Sequence, residues 1–368
     1  MSDGPQREPG VEAARGLFVV DDPLFDEHRS TGYHPERPER LAAARNALAA
    51  LQEGGLRVVP LAPRDATRSE LAAVHAATWL DHLDHVAGQR AAIDDDTYVA
   101  PRSVEAARRA AGGGIALVDA LLDAGPADPR LGLALLRPPG HHATPDRGMG
   151  FCLLNNVAIA AAHALARGLS RVAIVDWDVH HGNGTQDVFW RDGRVLFVSL
   201  HQWPMYPGTG AADQVGVGEG RGRTINIPLS RGADDGVYAA AIERIVAPAL
   251  RRFAPELVLI SAGFDGHARD PLADMALSEE GYRTMAAALR AVAEEGPAGG
   301  RVAVFLEGGY DLAALEASLV ATVEGLLGVP APTSAPGRSS AVPAHSVDRT
   351  HGADLELARS AAAAAGAL

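Results

Sequence analysis

The stretch Arg171-Val-Ala-Ile-Val-Asp-Trp-Asp-Val-His-His-Gly-Asn-Gly-Thr-Gln186, followed after a short helix-like run by Val195-Leu-Phe-Val-Ser-Leu-His201, decides how the rest of the chain is read. Val172 to Val175 are apolar and rich in β-branched residues, the pattern of a strand buried on both faces. Asp176, Asp178, His180 and His181 arrive together at its end. Alternate residues of an extended segment point the same way, so Asp178 and His180 converge just past the strand. Open parallel sheets bind ligands at their C-terminal strand ends. Aspartate oxygen and histidine nitrogen are ordinary zinc ligands, so Asp-x-His there reads as half of a metal site. An isolated Asp-x-His is equally a solvated loop, and the remaining sequence has to decide.

Outward from this stretch the chain alternates. Strands are expected at 17–20, 56–61, 131–136, 224–228, 257–261 and 301–306, which with the two central runs makes eight. Helical patterns lie between them at 41–51, 69–86, up to about Leu122, 156–167, 235–253, after the cap Ser278, and up to about Leu327. Such alternation predicts an α/β fold, a single domain around a mostly parallel sheet with helices on both faces. Residues 1–14 are polar and are expected to be disordered, leaving a catalytic domain over 15–330. Residues 331–368, rich in Pro, Ser and Ala, are expected to be a mobile tail.

Composition narrows the classes. At 47% hydrophobic, 368 residues can bury one large core. A net charge of -13 argues against phosphate-backbone binding and favours cationic substrates, so no direct nucleic-acid partner is expected. There is no lysine, which composition bias in an Ala-, Gly- and Arg-rich, bacterial-looking chain explains. The single Cys152 excludes an internal disulfide and any multi-cysteine zinc site, and fits a reducing, cytoplasmic setting. No secretory signal and no apolar run of the ~20 residues a membrane helix needs is visible, so no membrane partner is expected.

Four expected strand ends carry chemistry: His141-His142, Asp176/Asp178/His180, Asp265 and Gly309-Tyr310. Each alone has a bland reading, as a surface pair, a cap or a turn. All four fall at the same end of one parallel sheet. Arg-Pro-Pro-Gly-His-His (137–142), Gly-Phe-Cys-Leu-Leu-Asn-Asn (150–156), Asp-Trp-Asp-Val-His-His-Gly-Asn-Gly-Thr-Gln (176–186), Ser-Ala-Gly-Phe-Asp (261–265) and Leu-Glu-Gly-Gly-Tyr (306–310) closely resemble the zinc-dependent histone deacetylase family. Gly-Asn-Gly-Thr-Gln and Glu-Gly-Gly-Tyr resemble its class II branch, which includes bacterial deacetylase-like amidohydrolases. The resemblance covers roughly residues 16–330 and implies the arginase/deacetylase fold around an eight-stranded parallel sheet.

Asp178, His180 and Asp265 form a three-ligand set that leaves a metal position open, the pattern of a catalytic site. Two carboxylates neutralise the formal charge of Zn²⁺, so bound water is acidified less than by three histidines. A nearby proton acceptor is then needed, and His141 and His142 fit. The resemblance implies that His142 is general base and then acid, His141 assists, and Asp176 orients His141. Asn183 stands by His142 where the class I branch has Asp, and an amide makes His142 less readily protonated. Tyr310 is expected to donate its hydroxyl to the carbonyl oxygen as that gains charge. Phe151 and Tyr206 match the aromatic pair flanking a narrow channel, with Gly150 leaving room and Gly309 beside Tyr310. Asp96 matches a rim position, Leu272 a gatekeeper and Arg40 an inner-cavity arginine. Ser199 and the backbone near Asp176, Asp178, His180 and Leu200 match an inner potassium site, for which oxygen ligands suit a hard cation.

The leading expectation is zinc-dependent deacetylation of acetyl-lysine in peptides or proteins, with Fe²⁺ the alternative metal. Acetylpolyamine, a small acylated amine, is the rival substrate. An arginase-like enzyme with two metals would need further carboxylates where this chain has Gly182 and His267. A catalytically inactive acyl-lysine reader could dispense with Tyr310 or a histidine, and this chain keeps both. The sequence leaves an oligomer open.

Overall fold

The computed structural model describes residues 16–330 and 347–368, so the expected disorder of 1–14 lies outside the described residues. Eight strands form the main sheet: β1 Gly16–Val20, β2 Arg57–Leu61, β3 Leu131–Ala134, β4 Val172–Asp176, β5 Val195–Gln202, β6 Thr224–Leu229, β7 Leu257–Ala262 and β8 Val302–Leu306. Their spatial order is β2-β1-β3-β8-β7-β4-β5-β6, and every neighbouring pair is parallel. This is the parallel α/β sheet that the alternating pattern predicts, and it has the eight strands of the arginase/deacetylase fold that the resemblance implies. β3, β4, β7 and β8 are buried along their whole length, as continuous apolar runs require when helices cover both faces. Helices Glu39–Glu53, Leu312–Leu326 and Glu279–Glu295 pack in series as one layer, and Ser103–Asp123 packs on Asn156–Ala166 in another. A short hairpin, Ala91–Ala92 with Tyr98–Val99, was not foreseen; it presents Asp94, Asp95 and Asp96 at its turn.

Three local expectations are corrected. The run 69–86 is two helices, Arg68–Ala72 and Ala77–Val86. Tertiary bonds break it: Ala76 donates its amide to Pro145 O, His75 is held between Thr144 O and the amide of Asn155, and Ala76 is extended. The run 235–253 contains a π turn, Ile242–Val246, between Asp235–Ala241 and Ala247–Phe253. Pro248 cannot donate the next ladder hydrogen bond, and the wider turn accommodates it. Of the expected mobile tail, 331–346 lies outside the described residues, but Arg349–Ala364 is a helix packed on β6. Leu355, Ala358 and Ala362 are buried against the sheet side. Asp354 accepts from the Ser230 amide at 2.8 Å. Alanine-rich composition, which suggested disorder, instead lets the helix approach the edge strand closely. Gly222 has no room for a Cβ because the Ala365 carbonyl lies against it.

Candidate active site

The four middle strands, β3-β8-β7-β4, are neighbours in the sheet although β3 and β4 precede β7 and β8 in the chain. Each delivers its functional groups at its C-terminal end. β4 ends on Asp176, and its continuation brings Asp178 and His180. β7 leads to Asp265, β3 to His141-His142, and β8 to Glu307-Gly308-Gly309-Tyr310.

Ligand atoms of Asp178, His180 and Asp265 all lie within 4.8 Å of one another, the only such trio of His, Cys, Asp or Glu groups among the described residues. His180 Nδ1 is 3.1 Å from Asp178 Oδ1 and 3.2 Å from Asp265 Oδ2. The remaining carboxylate atoms are held by backbone: Val179 N donates to Asp265 Oδ1 and Gly308 N to Asp178 Oδ2. Asp265 Oδ2 is buried and accepts no hydrogen bond. Burial and the Asp178 charge push Asp265 above the usual carboxylate range. Burial works against a charged His180, but its bond to Asp178 and the nearby charges of Asp265 and Asp178 outweigh it and raise the imidazole to about 10. A buried carboxylate oxygen without a hydrogen-bond donor thus stands within the trio. Two hard oxygens and one imidazole nitrogen suit Zn²⁺ or Fe²⁺, so the residues fit the metal that the family implies. The further ligands of an arginase-like two-metal centre are absent among the described residues: Gly182 has no room for a side chain beside Asp176, and His267 Nε2 faces Glu279 at 3.4 Å.

The two histidines beside the trio have opposite surroundings. His141 Nδ1 bonds Asp176 Oδ2 at 2.9 Å, and its Nε2 is 3.7 Å from Asp178. Burial disfavours its charge, but Asp178 and Asp176 overcome that and raise it well above the usual range. His142 Nδ1 bonds Asn183 Oδ1 at 2.8 Å. Burial, then His141 and His180, hold His142 well below the ordinary imidazole range. The amide oxygen only accepts, so Nδ1 carries the proton and Nε2 is the free base. Asp176 is itself oriented, since Oδ1 accepts from Asp178 N.

A cavity of about 250 Å³ leads to this cluster, lined by Asp96, Gly150, Phe151, Tyr206, Leu272 and Tyr310 among others. Phe151 sits edge-on to Tyr310 and Tyr206 edge-on to His142. Gly150 has a positive φ of 55°, and a Cβ there would meet the His142 ring. Phe151 also has positive φ, held by its amide donating to Thr97 Oγ1. Burial pushes the Tyr310 hydroxyl well above its usual range, so it stays a donor. Arg40 is fully buried: its Nε donates to Gly309 O at 2.7 Å, it also reaches Glu307 O, and its guanidinium lies 5.0 Å from the Tyr310 ring. Ser199 is the register partner of Asp176 and lies buried beside Leu200, with its hydroxyl 3.0 Å from His201 Nδ1.

Sequence reasoning missed several groups. Pro139 and Met205 line the channel. Arg137 and Glu36 form a fully buried ion pair that also reaches Arg40, and Arg137 outweighs the cost of burial to hold Glu36 down at about 2. Asp270 accepts from the amides of Tyr310 and Asp311 with one oxygen and from Leu272 N with the other. Glu307 accepts from the amides of Gly140 and His141. A charged residue directly after a buried strand was the available signal for Glu307.

Comparison with known proteins shows the family. A model of the histone deacetylase domain matches residues 34–326. A histone deacetylase-like amidohydrolase of Pseudomonas aeruginosa is 44% identical over 267 residues, 72% of this chain and 69% of that protein. The human polyamine deacetylase HDAC10 is 42% identical over 318 residues, 81% of this chain and 45% of its own length. The crystal structure of the HDA15 HD domain superposes with a TM-score of 0.84 at 36% identity, covering 95% of this chain and 94% of that one. Likeness of this extent, running through all four strand ends that carry the cluster, means that the chain belongs to the histone deacetylase domain family and is an enzyme that hydrolyses amide bonds.

Proposed function

We propose that this enzyme removes acyl groups from lysine side chains in peptides or proteins, acetyl-lysine first, with Zn²⁺ held by Asp178, His180 and Asp265. The observation that carries this is the buried, hydrogen-bond-free Oδ2 of Asp265 beside His180 and Asp178, at the foot of a channel walled by Phe151 and Tyr206. Zn²⁺ bound there supplies Lewis-acid polarisation of the acyl carbonyl and acidifies the attacking water. The aromatic walls hold the methylene chain of the substrate. His142 accepts the water's proton at Nε2 because Asn183 occupies Nδ1. The same nitrogen then returns a proton to the departing amine. His141, kept protonated between Asp176 and Asp178, offsets negative charge beside the reacting carbon. Tyr310 donates its hydroxyl to the carbonyl oxygen as that becomes negative. A structural K⁺ at Asp176, Asp178, His180, Ser199 and Leu200 belongs to the same reading, supported by the buried pairing of Asp176 with Ser199.

A second substrate reading, acetylpolyamine, is favoured by the HDAC10 relative and by Asp96 in the cavity lining, with Asp94 and Asp95 next to it in the hairpin turn. Against it stands Leu272, an apolar residue at the mouth. The test is turnover of a fluorogenic acetyl-lysine amide by metal-stripped protein before and after addition of Zn²⁺ or Fe²⁺, with acetylspermidine in parallel. Activity is expected only with metal, and full activity in metal-free protein would end the proposal.

A further inference from the structure

Glu307 is a charged side chain at the centre of the molecule that the reaction as described does not use. It directly follows β8, is 1% exposed, and reaches the segment after the neighbouring strand β3. Its Oε2 accepts from the backbone amides of Gly140 at 2.7 Å and His141 at 3.2 Å, and its Oε1 lies 3.4 Å from Ser261 Oγ. Gly140 and His141 begin the turn that carries both catalytic histidines. Neither amide is bonded within a helix or a strand, because β3 stops at Ala134 and the prolines at 138 and 139 bar further pairing. A buried amide without a partner is costly, so this turn needs an acceptor brought from elsewhere.

The remainder of the same motif is used just as closely. Gly308 donates to Asp178 Oδ2, and a side chain there would collide with Asp265 and Asp178. The carbonyls of Glu307 and Gly309 both receive Arg40, and Tyr310 N is held by Asp270. One four-residue segment thus touches the metal ligands, the oxyanion donor and, through Glu307 alone, the proton-transfer histidines.

We infer that Glu307 is a positioning residue, which sets the His141-His142 turn against the metal ligands by accepting the Gly140 and His141 amides. This rests on the amidohydrolase reading above. The role needs lone pairs rather than charge. Burial pushes the carboxyl up to about 7, and a glutamine oxygen can accept the same two amides. Leaving the turn unpinned displaces the base by a fraction of an ångström to an ångström, which costs on the order of tenfold to a hundredfold in turnover.

The experiment compares Glu307→Gln with the apolar, similarly sized Glu307→Met in the full chain loaded with Zn²⁺. Readouts are kcat and KM on an acetyl-lysine peptide, bound zinc by elemental analysis, Tm, and amide hydrogen exchange of the segment 137–143. The expected result is a kcat loss of roughly tenfold to a hundredfold in Glu307→Met, with KM and zinc content unchanged and faster exchange of that segment. Glu307→Gln should recover kcat to within about threefold of wild type and restore slow exchange, since one acceptor oxygen suffices. The inference is overturned if folded Glu307→Met turns over like wild type. Equal loss of kcat in both variants overturns it too, because charge would then be the requirement. Loss of zinc in Glu307→Met also overturns it, by placing the effect at the metal. Inactivity of the zinc-loaded wild type would instead defeat the amidohydrolase reading, and the exchange comparison would still decide whether Glu307 pins the turn.

Discussion

Asn183→Asp tests the proton-transfer assignment through the pH profile. Asn183 Oδ1 lies 2.8 Å from His142 Nδ1, both residues are buried, and no carboxylate bonds this imidazole. A carboxylate in that place would face the imidazolium directly. At an effective dielectric of about 20, unit charges ~4 Å apart attract by about 4 kcal/mol. The full amount is not realised, because a new anion among Asp176 and Asp178 resists ionising and is itself desolvated. Opposite charges at this range raise a histidine by roughly one to three pH units, and one to two is the reasonable share here. The sign follows from the role: a general base works unprotonated, so raising its pKa moves the acid limb of kcat/KM to higher pH. Activity that the parent keeps at mildly acidic pH is then lost, by about tenfold for each pH unit that the limb moves, equivalent to about 1.4 kcal/mol. The assay is kcat/KM for a fluorogenic acetyl-lysine amide across the acidic and neutral range, with zinc content checked at each end. An acid limb that stays put, or moves to lower pH, would show that His142 is not the group titrating in that limb.

Other outcomes test the remaining assignments. Tyr310→Phe should lower kcat by on the order of 10²–10³ with zinc content and Tm unchanged, and a near wild-type rate would reduce Tyr310 to a turn residue. Asp178→Ala should abolish activity together with metal occupancy. Asp176→Asn should retain much of the metal while slowing turnover, because it acts by orienting His141, so equal metal loss in both would contradict the separation of roles. Leu272→Glu should shift the kcat/KM ratio from acetyl-lysine peptide toward acetylspermidine, since a carboxylate at the mouth pairs with a distal ammonium that leucine leaves unpartnered. If the unmutated protein already prefers acetylspermidine, the cation is held elsewhere, with Asp94 to Asp96 the first place to look.

Most of the sheet was legible because its strands are buried on both faces and so read as apolar runs, such as 172–175 and 257–260. The metal trio was legible for a related reason. Each ligand follows such a run by only a few residues, and parallel strands put those positions at one end. What escaped was governed by tertiary contact. Nothing local to His75 or Ala76 shows that Thr144, Pro145 and Asn155 will break the helix there. Nothing in an Ala-rich terminus shows that Gly222 leaves it a bed. Arg40 was placed in an inner cavity by resemblance alone, because nothing local to a helix-start arginine shows that it is buried. Its burial depends on backbone carbonyls far away in sequence (separations of 267 and 269).

The order of the strands has a bearing on how the enzyme is made. β7 and β8, the two strands of the described sheet that come last in chain order, lie between β3 and β4. Until β7 and β8 have emerged, the earlier strands of the sheet form two three-stranded pieces, β2-β1-β3 and β4-β5-β6. The inner edges of those pieces, β3 and β4, present unpaired amides and carbonyls to each other or to any other strand. Asp178 and His180 wait on one edge and the histidine pair on the other, with Asp265 and Tyr310 not yet made. A nascent chain therefore carries only part of the candidate centre, and its two unpaired edges are a hazard on the ribosome that the insertion of β7 and β8 removes. Catalytic competence and closure of the sheet arrive in the same event, so any change that delays the final wedge should appear first as aggregation during expression rather than as a slow enzyme.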